Sequence, residues 1–361
     1  GLTPYLVASG VEVHVAYLVE RPGFGPDLEE AGAVIHSLAE GGGRIGWVRQ
    51  ARQLIRRLRP DLVHTTLFES DIVGRTAAWS LRVPVVSSIV TEAYGPEHVA
   101  NPEYRAWKVR AAQVVDAATA RMVRRFHAVS SASADVMAKR LLISRSKMEV
   151  IPRGRDVAKL GVRTAERRAQ VRSSLGLELE QPIVLAAARH FHSKGLDVLA
   201  KAFPAVVAQF SDARLLIAGR NGPATPDVVA ALAAGDVEEA TTLLGYRNDV
   251  PDLMSAADVF VLPSRVEGSP GALIEAMALA VPAVASDIPS VRELVGTDND
   301  LVGVAPLEDA TALAAAITTM LSDRRRADAM AEAAQARFEQ CCSMDAITQA
   351  TLSLYQRALG R

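Results

Sequence analysis

Cysteine is almost absent from this chain of 361 residues. Its two cysteines, Cys341 and Cys342, are neighbours in the sequence. Adjacent cysteines provide neither the spacing of a disulfide framework nor that of a zinc site. The sequence therefore argues against a disulfide-stapled secreted domain, and a reducing cytoplasm is the compartment that it suits most simply.

Long apolar runs are absent as well. No stretch reaches the roughly 18 apolar residues that a membrane-spanning helix needs. The opening residues, GLTPYLVASG, show no charged region before a long apolar one, as a secretory signal would. Aromatic residues make up 5% of the chain and are not interleaved with basic residues, which argues against nucleic acid as a partner. Hydrophobic residues nevertheless make up 49%, so the chain can bury sizeable cores.

Charge is nearly balanced overall but unevenly distributed. The formal net charge is −1, yet residues 1–155 carry 21 Lys and Arg against 15 Asp and Glu, and the remainder carries 19 against 26. A basic half and an acidic half indicate two domains with different partners. Drift in surface composition is the equal alternative.

Residues 47–59 have the pattern of an amphipathic helix. Its apolar stripe is Val48, Ala51, Ile55 and Leu58, and its basic stripe is Arg49, Arg52, Arg56 and Arg59. Together with the basic run 120–126, this pattern is compatible with peripheral contact with anionic lipid on the inner face of a membrane. A surface helix that packs its apolar stripe on a sheet is the other interpretation.

Short apolar runs alternate with helical stretches along the whole chain. The candidate strands are residues 11–18, 61–66, 83–90, 126–130 and 148–152, followed by 182–188, 214–219, 241–245, 258–263 and 282–286. Strands this apolar are covered on both faces, which predicts parallel sheets in two successive Rossmann-like halves. The charged segment 152–170 lies between the two series and is the predicted linker. Two such domains leave a central cleft that the carboxyl ends of the strands face.

The run EGSPGALIEAMA (267–278) is the most informative motif. An apolar strand, a glycine-rich turn and a helix follow one another here, an arrangement that aims unpaired backbone N–H groups at a phosphate. Glu267 stands at the mouth of the turn, and Glu275 stands about one turn into the helix. The motif suits a ligand with phosphates in the middle and hydroxyls at both ends, such as a nucleotide sugar.

Residues 245–295, which contain this motif, are similar to the donor-binding core of retaining glycosyltransferases of the GT-B fold, family 4. Segments 189–199, 214–219, 59–64 and 150–156 also match that family. The resemblance covers nearly the whole chain. It implies an N-terminal domain over 1–155, a nucleotide-sugar-binding domain over 156–340, and a C-terminal helix within 341–361 that crosses back to the first domain.

The resemblance also implies the roles of the catalytic residues. Arg189 and Lys194 would place two cations on the diphosphate of the donor, and Glu267 would hold hydroxyls of the transferred sugar. Transfer would proceed with retention, a donor phosphate oxygen would take the proton of the acceptor, and neither a metal nor a further cofactor would be needed. Solvated surface charge is the alternative for the two cations.

Donor binding is assigned by the same resemblance to a larger set: Tyr246, Arg247, Gly268, Ser269, Pro270, Gly271, Ala272, Leu273 and Glu275. Backbone N–H groups of Gly271 and Ala272 would receive the phosphates. Glu275 would bridge the ribose hydroxyls, although an acid that satisfies the helix dipole is the alternative. Tyr246 and Arg247 would flank the base, largely through their backbone.

The acceptor side departs from the family pattern. Many relatives carry a histidine after the strand at 83–90, where this chain has Val90 and Thr91, and the nearby Glu92 is not an equivalent donor. His64 is a candidate for the acceptor side, and a buried, hydrogen-bonded structural histidine is the equal alternative. Arg153 replaces an asparagine of the family and would meet donor phosphate or an anionic acceptor, or remain an exposed charge. The acceptor itself is not identified.

Three further expectations follow from the resemblance. The family opens with a strand and a glycine-rich loop, and this chain begins within the helix that follows them, so we expect the N-terminal domain to lack its first strand. Asp298, Asn299 and Asp300 form an Asp-x-Asp sequence, but it follows a helix rather than a strand, so an acidic loop suffices. A sugar-nucleotide epimerase, a phosphorylase of the same fold and a non-catalytic sugar-nucleotide-binding subunit are the competing functions.

Overall fold

The protein is organised as two α/β units. The structure, a computed structural model, describes residues 2–20, 25–95 and 105–361. Its contacts place Gly1–Gly154 and Met344–Arg361 in the first unit and Arg155–Ser343 in the second. All paired strands of both units are parallel. This architecture confirms the predicted fold class.

The strands described in the first unit form two sheets. They are β1 (His14–Tyr17), β2 (Val34–Ser37), β3 (Val63–Thr66), β4 (Val85–Ile89), β5 (Arg125–Ala128) and β6 (Met148–Val150). A two-stranded sheet pairs β1 with β2, and a four-stranded sheet has the order β3-β4-β5-β6. That the first unit lacks the first strand of the family stays a prediction.

In the described part of the first unit before residue 155, six α-helices precede or follow these strands. They are α1 (Thr3–Ala8), α2 (Gly25–Glu30), α3 (Arg44–Leu58), α4 (Phe68–Trp79), α5 (Ala106–Ala120) and α6 (Ser131–Leu141). Helix α3 contains the amphipathic pattern and buries Ala51 and Ile55 in the core of its own unit. Its apolar stripe is therefore used in packing, whereas Arg49, Arg52 and Arg56 are exposed.

The second unit contains one six-stranded sheet. Its strands are β7 (Ile183–Ala187), β8 (Arg214–Ala218), β9 (Thr241–Gly245), β10 (Val259–Leu262), β11 (Ala283–Ser286) and β12 (Gly303–Ala305), in the order β12-β11-β10-β7-β8-β9. Successive residues of β10 enter opposite cores, with Phe260 in one and Val259 and Val261 in the other. Both faces are covered, as the unbroken apolar runs predict.

All ten predicted strands are present, and two observed strands are not predicted. The missed strands are β2 and β12, which contain four and three residues. Each is paired on one side only, at the edge of its sheet. Short edge strands need not be apolar on both faces, so they lack the continuous apolar run by which the other strands are identified.

Nine helices of the second unit surround this sheet. They are α7 (Val157–Leu160), α8 (Ala165–Ser174), α9 (Leu196–Val207), α10 (Thr225–Ala234), α11 (Val250–Ala256), α12 (Gly271–Ala278), α13 (Pro289–Val295), α14 (Ala310–Ser322) and α15 (Arg324–Cys341). The predicted linker, residues 152–170, extends into α8, where Arg168 donates to Asp258 at 2.7 Å. Arg172 in α8 is 1% exposed and donates to the carbonyl of Ala256 and to Asp258, at 2.9 and 2.7 Å. Its donors satisfy the carbonyl left open at the end of α11.

The last helix, α16 (Met344–Leu359), belongs to the first unit. Leu354 and Ala358 pack with Val86 of β4 and with Ile151. The sheet β3-β4-β5-β6 is therefore covered on this face by residues from the end of the chain. Within the described residues, no helix is both long and apolar enough to cross a membrane.

Candidate functional site

The strand order of the second unit fixes where its ligand site lies. Strands β7 and β10 are neighbours in the middle of the sheet, and the order runs outward from them in opposite directions. Open α/β sheets bind ligands at the carboxyl ends of the strands that flank such a switch point. Arg189 follows β7, and Glu267 follows β10. The topology therefore places the loops of the predicted donor residues at one edge of this sheet.

A cavity of about 380 Å³ lies at this edge, within the second unit. Its lining residues are Ala187, Ala188, Arg189, Ala218, Gly219, Arg220, Tyr246, Arg247, Val250, Ala272 and Glu275. They come from the segments after β7, β8 and β9 and from the first turns of α11 and α12. Five residues predicted from the sequence, Arg189, Tyr246, Arg247, Ala272 and Glu275, are thus brought together around one space.

One end of the cavity carries an exposed aromatic ring beside two arginines. The guanidinium carbon of Arg220 lies 4.4 Å from the ring centre of Tyr246, which is 65% exposed. Arg247 instead donates to both carboxylate oxygens of Asp249, at 2.8 and 2.5 Å. This hydrogen bonding lowers the pKa of Asp249. The guanidinium of Arg247 is already paired with a carboxylate, so it is less available than an unpaired cation to bind a phosphate.

Helix α12 begins beside the cavity without a side-chain cap. Its N-cap residue is Pro270, and no side chain accepts a hydrogen bond from the first turn. The hydroxyl of Ser269 is buried and has no hydrogen-bond partner among the described residues. The N–H of Gly271 donates to the carbonyl of Ser269 at 2.8 Å, and the positive end of the helix dipole favours an anion here. The side chain of Leu273 is wholly buried, so only its backbone can serve a ligand.

Each carboxylate of the motif is paired with a cation in the second unit. Glu275 accepts from Nε of Arg155 at 2.6 Å. Glu267 accepts from Nζ of Lys194 at 2.7 Å and from the hydroxyl of Ser264 at 2.8 Å. The structure therefore brings Lys194 and Glu267 together as neighbours.

Arg265 holds the loop of Lys194 against the loop of Glu267. It donates to both carboxylate oxygens of Asp197 at 2.8 and 2.9 Å, and to the carbonyl of His192 at 2.5 Å. Gly195, at φ +61°, passes so close to the carbonyl of Pro263 that a Cβ would overlap it. Two loops that are distant in sequence are thus fixed together at the switch point.

Arg189 differs from the paired cations because it is exposed. Its guanidinium carbon lies 4.8 Å from the ring centre of Phe191, and the residue is exposed to solvent. Stacking on an aromatic ring orients a guanidinium and leaves its edge open to an anion. Arg189 is therefore placed at the cavity wall in a form that can bind phosphate.

His64 lies in the first unit, in a chain of hydrogen bonds beneath α16. Its Nδ1 lies 2.7 Å from the hydroxyl of Tyr355, and its Nε2 lies 2.7 Å from the hydroxyl of Ser88. The same Ser88 oxygen lies 2.8 Å from Nδ1 of His127, whose Nε2 lies 2.8 Å from the carbonyl of Ile151. Five groups from β3, β4, β5, α16 and the end of β6 are linked.

The direction of every bond in this chain follows from its last acceptor. A carbonyl only accepts, so Nε2 of His127 donates to Ile151, and Nδ1 of the neutral ring accepts from Ser88. Ser88 has one proton, so Nε2 of His64 donates to it and Nδ1 of His64 accepts from Tyr355. Burial, with His127 close by, lowers the pKa of His64, and burial also lowers the pKa of His127. Two neutral imidazoles satisfy the whole chain.

The other residues predicted for the acceptor side are dispersed over the first unit. Thr91 is exposed just after β4, and Arg153 is exposed after β6. Glu92 is half-buried and accepts from the hydroxyl of Ser133 at 3.4 Å.

The described residues contain no group of three His, Cys, Asp or Glu side chains that could hold a metal ion. Asp298, Asn299 and Asp300 lie in an exposed loop. There, Arg292 donates to the side-chain oxygen of Asn299 at 2.5 Å. The side chain of Asn299, the middle residue of the Asp-x-Asp sequence, is therefore bonded to an arginine of α13.

Two residues around the cavity are not among the predicted set. Arg220 follows β8, and Arg155 belongs to the charged segment before α7. The position of Arg220, just after a strand, is the same signal that identifies Arg189. Arg155 gives no such local signal, because its contact with Glu275 joins residues 120 positions apart.

Comparison with known families covers both units. Residues 1–159 match the model described as Glycosyltransferase Family 4, and residues 181–323 match the one described as Glycosyl transferases group 1. The second match contains the whole donor motif and all strands of the second unit.

Two curated relatives illustrate the range of similarity. The D-inositol 3-phosphate glycosyltransferase of Kineococcus radiotolerans is 30% identical over 320 residues, which are 83% of this chain and 72% of that protein. The alpha-D-kanosaminyltransferase of Streptomyces kanamyceticus is 30% identical over 171 residues, which are 47% of this chain and 44% of that protein. The match with the second relative therefore spans less than half of its length.

The fold is also found in solved structures. The crystal structure of HepE from Anabaena in complex with UDP and glucose superposes with a TM-score of 0.79 at 20% identity, covering 99% of this chain and 95% of that one. This likeness confirms the GT-B fold. The two family matches, together with the 30% identity to the Kineococcus protein over 72% of its length, show that the chain belongs to the group 1, family 4 glycosyltransferases.

Proposed function

We propose that this protein is a retaining glycosyltransferase that moves a sugar from a nucleotide diphosphate sugar to a hydroxyl acceptor without a metal ion. One observation carries the proposal. In a member of this family, a cavity at the switch point has Glu275 and Arg189 on its wall and the uncapped start of α12 beside it. Such a site can accept a nucleoside diphosphate, with Glu275 for the ribose hydroxyls and with Arg189 and the start of α12 for the diphosphate.

The donor roles follow from these positions. Tyr246, stacked with Arg220, is placed to flank the base, and Glu275 is placed to accept from the ribose hydroxyls. The phosphates are received by the backbone at Gly271 and Ala272, with Ser269 as a further donor. The buried hydroxyl of Ser269, which has no partner among the described residues, supports this role. The shape of the turn rests on Gly268 and Pro270.

Glu267, Lys194 and Arg189 are the proposed catalytic residues. Glu267 holds hydroxyls of the transferred sugar, and Lys194 and Arg189 stabilise the charge that develops on the leaving diphosphate. A cation placed in advance at a developing charge is worth about 2–4 kcal/mol in a site that excludes water. The ion pair between Lys194 and Glu267 supports a shared location at the junction of sugar and phosphate.

Retention is proposed to occur by attack on the face from which the diphosphate leaves. The acceptor oxygen bonds to the anomeric carbon as the bond from that carbon to the phosphate oxygen breaks. The acceptor proton passes to an oxygen of the departing phosphate. The protein then needs no general base and acts by positioning the reactants and neutralising charge.

Metal independence is proposed because fixed cations are available for the diphosphate. Arg189 and Lys194 can supply the charge that a divalent ion supplies in other transferases. A chelator such as EDTA should leave the rate of transfer unchanged. A loss of activity that added magnesium or manganese restores would contradict this part of the proposal.

Acceptor binding is proposed for the first unit, through Thr91, Glu92 and Arg153, whereas His64, with both ring nitrogens hydrogen-bonded, takes its structural alternative. A cytoplasmic location with peripheral contact at the inner face of a membrane is the proposal for the cellular setting. The exposed arginines of α3 and the basic run 120–126 support it. Because the apolar stripe of α3 is packed inside its unit, this contact would be electrostatic. Raising the ionic strength should therefore release the protein from anionic vesicles.

Family membership favours transfer over the epimerase, the phosphorylase and the non-catalytic subunit. The test is turnover of UDP-, GDP-, ADP- and dTDP-sugars with and without hydroxyl acceptors, followed by NMR of the anomeric configuration. We expect one donor to be consumed and the product to keep the configuration of the donor. A protein that binds a donor but never releases its nucleoside diphosphate would be a binding subunit instead. An inverted product would overturn retention.

A further inference from the structure

Arg155 occupies the edge of the proposed donor site. Its Nε donates to Glu275 at 2.6 Å, and the two side chains are each 23% exposed. Glu275 is one of the residues that line the cavity. Arg155 does not itself line the cavity, but its guanidinium contacts a residue that does.

The second contact of this guanidinium is with the start of α12. A Cβ on Gly271 would overlap Nη2 of Arg155, so the guanidinium lies flush against the first residue of the helix. Gly271 and Glu275 are separated by about one helical turn, a rise of roughly 5–6 Å. Arg155 thus spans the same stretch of α12 that the donor would cover from phosphate to ribose.

The backbone of Arg155 is held by hydrogen bonds, so its side chain starts from a fixed position. Its N–H donates to the carbonyl of Cys342 at 3.0 Å, and it forms a parallel bridge with Ser343. The two passages of the chain between the units, before residue 155 and after residue 343, are therefore paired at this position. A long side chain held at its base loses less freedom when it binds a ligand.

We infer that Arg155 is a further donor-binding residue, whose guanidinium binds the diphosphate between the start of α12 and Glu275. This inference rests on the proposed function and adds a specificity for phosphate to that site. A guanidinium binds phosphate through charge-assisted hydrogen bonds that are shorter and stronger than neutral ones. The carboxylate of Glu275 accepts from the ribose hydroxyls, but it also repels the diphosphate. The positive charge of Arg155 offsets that repulsion.

A purely structural ion pair is the alternative, and the two roles differ in what they do to ligands without phosphate. A structural pair would set the position of Glu275, so its loss would weaken every ligand that has a ribose. A phosphate-binding arginine would weaken only the phosphorylated ligands. Removing Arg155 would even leave Glu275 more available to the hydroxyls of a nucleoside.

The experiment measures the dissociation constants of uridine, UMP and UDP by calorimetry, or of the matching guanosine or adenosine series where that base binds more tightly. The proteins are wild type, Arg155→Met and Arg155→Lys, with Arg325→Met as a control of equal charge on exposed surface. For UDP we expect Arg155→Met to weaken binding about tenfold to a hundredfold, with Arg155→Lys intermediate. For uridine we expect a change of less than about twofold, within the spread of surface substitutions.

Equal weakening of uridine, UMP and UDP in Arg155→Met would overturn the inference in favour of a structural pair. Unchanged UDP binding would overturn it outright. If wild-type protein binds no nucleoside diphosphate at all, the proposed function itself fails. That outcome is distinct from a failure of the role given to Arg155.

A second variant tests the same contact from the other partner. Gly271→Ala keeps the backbone N–H and improves helix propensity, but its methyl group displaces the guanidinium. We expect it to weaken UDP binding in the wild-type background and to have little further effect when combined with Arg155→Ala. Full additivity of the two changes would show that the glycine does not serve Arg155, and it would contradict the inference.

Discussion

The donor cavity of the second unit and the histidine chain of the first unit use polar residues in opposite ways. Around the cavity, the groups are charged and reach solvent, as Arg189 and Glu275 do. In the first unit, His64, Ser88 and His127 are neutral, and every donor among them has an acceptor. The charged groups around the cavity can therefore still bind a charged ligand. In the histidine chain, the hydrogen-bond donors are already used within the protein.

This difference separates a binding site from a structural joint. Charges that are paired but partly exposed can exchange a protein partner for a ligand at little cost. A neutral chain that is satisfied end to end loses a hydrogen bond when any ligand enters it. We therefore expect substitutions around the cavity to change binding and rate, and substitutions in the histidine chain to change stability. Four predictions follow in order of expected effect.

The largest effect is expected at the two cations of the donor site. Arg189→Gln and Lys194→Gln should each lower kcat about 30-fold to 1,000-fold, because each removes charge that stabilises the leaving diphosphate. Steady-state kinetics with saturating donor measures this, and Arg325→Gln serves as a control on exposed surface. A loss below about threefold at both positions would erase the distinction between this cavity and ordinary surface charge.

The next effect concerns the end of the histidine chain. Tyr355→Phe removes the donor to Nδ1 of His64 and should lower the free energy of unfolding by about 1–2 kcal/mol. Denaturation in urea measures it. Donor affinity should stay within about twofold of wild type. A stability unchanged by the substitution would show that the chain is not a joint for α16.

The pH dependence of stability provides a third test. Burial lowers the pKa of His64 and His127 in the folded protein, so below the ordinary value of about 6.5 the unfolded chain binds more protons than the folded one. Stability is therefore full above about pH 6.5 and falls on acidification. Asp71 acts in the opposite sense, since burial raises its pKa to about 6, and its contribution opposes the histidines at lower pH.

Asp71 contributes equally to the pH dependence of stability in wild type and in His64→Gln, so its contribution cancels when the two proteins are compared. We expect wild type to lose about 1 kcal/mol more than the variant between pH 7 and pH 5. The figure is kept small because, although protein atoms surround the ring closely enough to lower its pKa, part of the surface of His64 still reaches solvent, which screens its charge. Parallel pH profiles would mean that His64 is not held neutral by its neighbours.

The smallest effect is expected at the base end of the cavity. Arg220→Gln removes the cation that stacks on Tyr246 and should weaken donor binding about twofold to fivefold, as exposed cation–π pairs are worth about 0.5–1 kcal/mol. Calorimetry with the preferred nucleoside diphosphate measures it. A hundredfold loss would place Arg220 on the phosphates rather than beside the base.

The sequence allowed the framework to be predicted because its signals are local. Continuous apolar runs identify the buried strands, and the loop after each strand identifies where ligands bind, so Arg189 and Glu275 could be named in advance. Contacts between distant segments carry no such signal. The pairing of Arg155 with Glu275 and the bond between His64 and Tyr355 join residues 120 and 291 positions apart. Both depend on how whole elements pack, which one sequence does not reveal.

The predicted linker, residues 152–170, shows the same limit. Its high charge predicts a polar linker, yet Arg168 donates to Asp258, as Arg172 does just beyond the segment. Arginine supplies five donors in a fixed geometry, so a charged segment can be ordered by carbonyls and a carboxylate without an apolar stripe. Charge alone therefore predicts neither exposure nor flexibility.

The central claim is that the second unit binds a nucleotide sugar through Glu275. Thermal unfolding with UDP-, GDP-, ADP- and dTDP-sugars tests it in wild type, Glu275→Lys and Tyr355→Phe. A ligand at about 100 times its dissociation constant stabilises the folded state by about 2.7 kcal/mol. The account predicts such a shift for one donor in wild type and in Tyr355→Phe, and none in Glu275→Lys. An equal shift in all three proteins, or none in wild type, would contradict it.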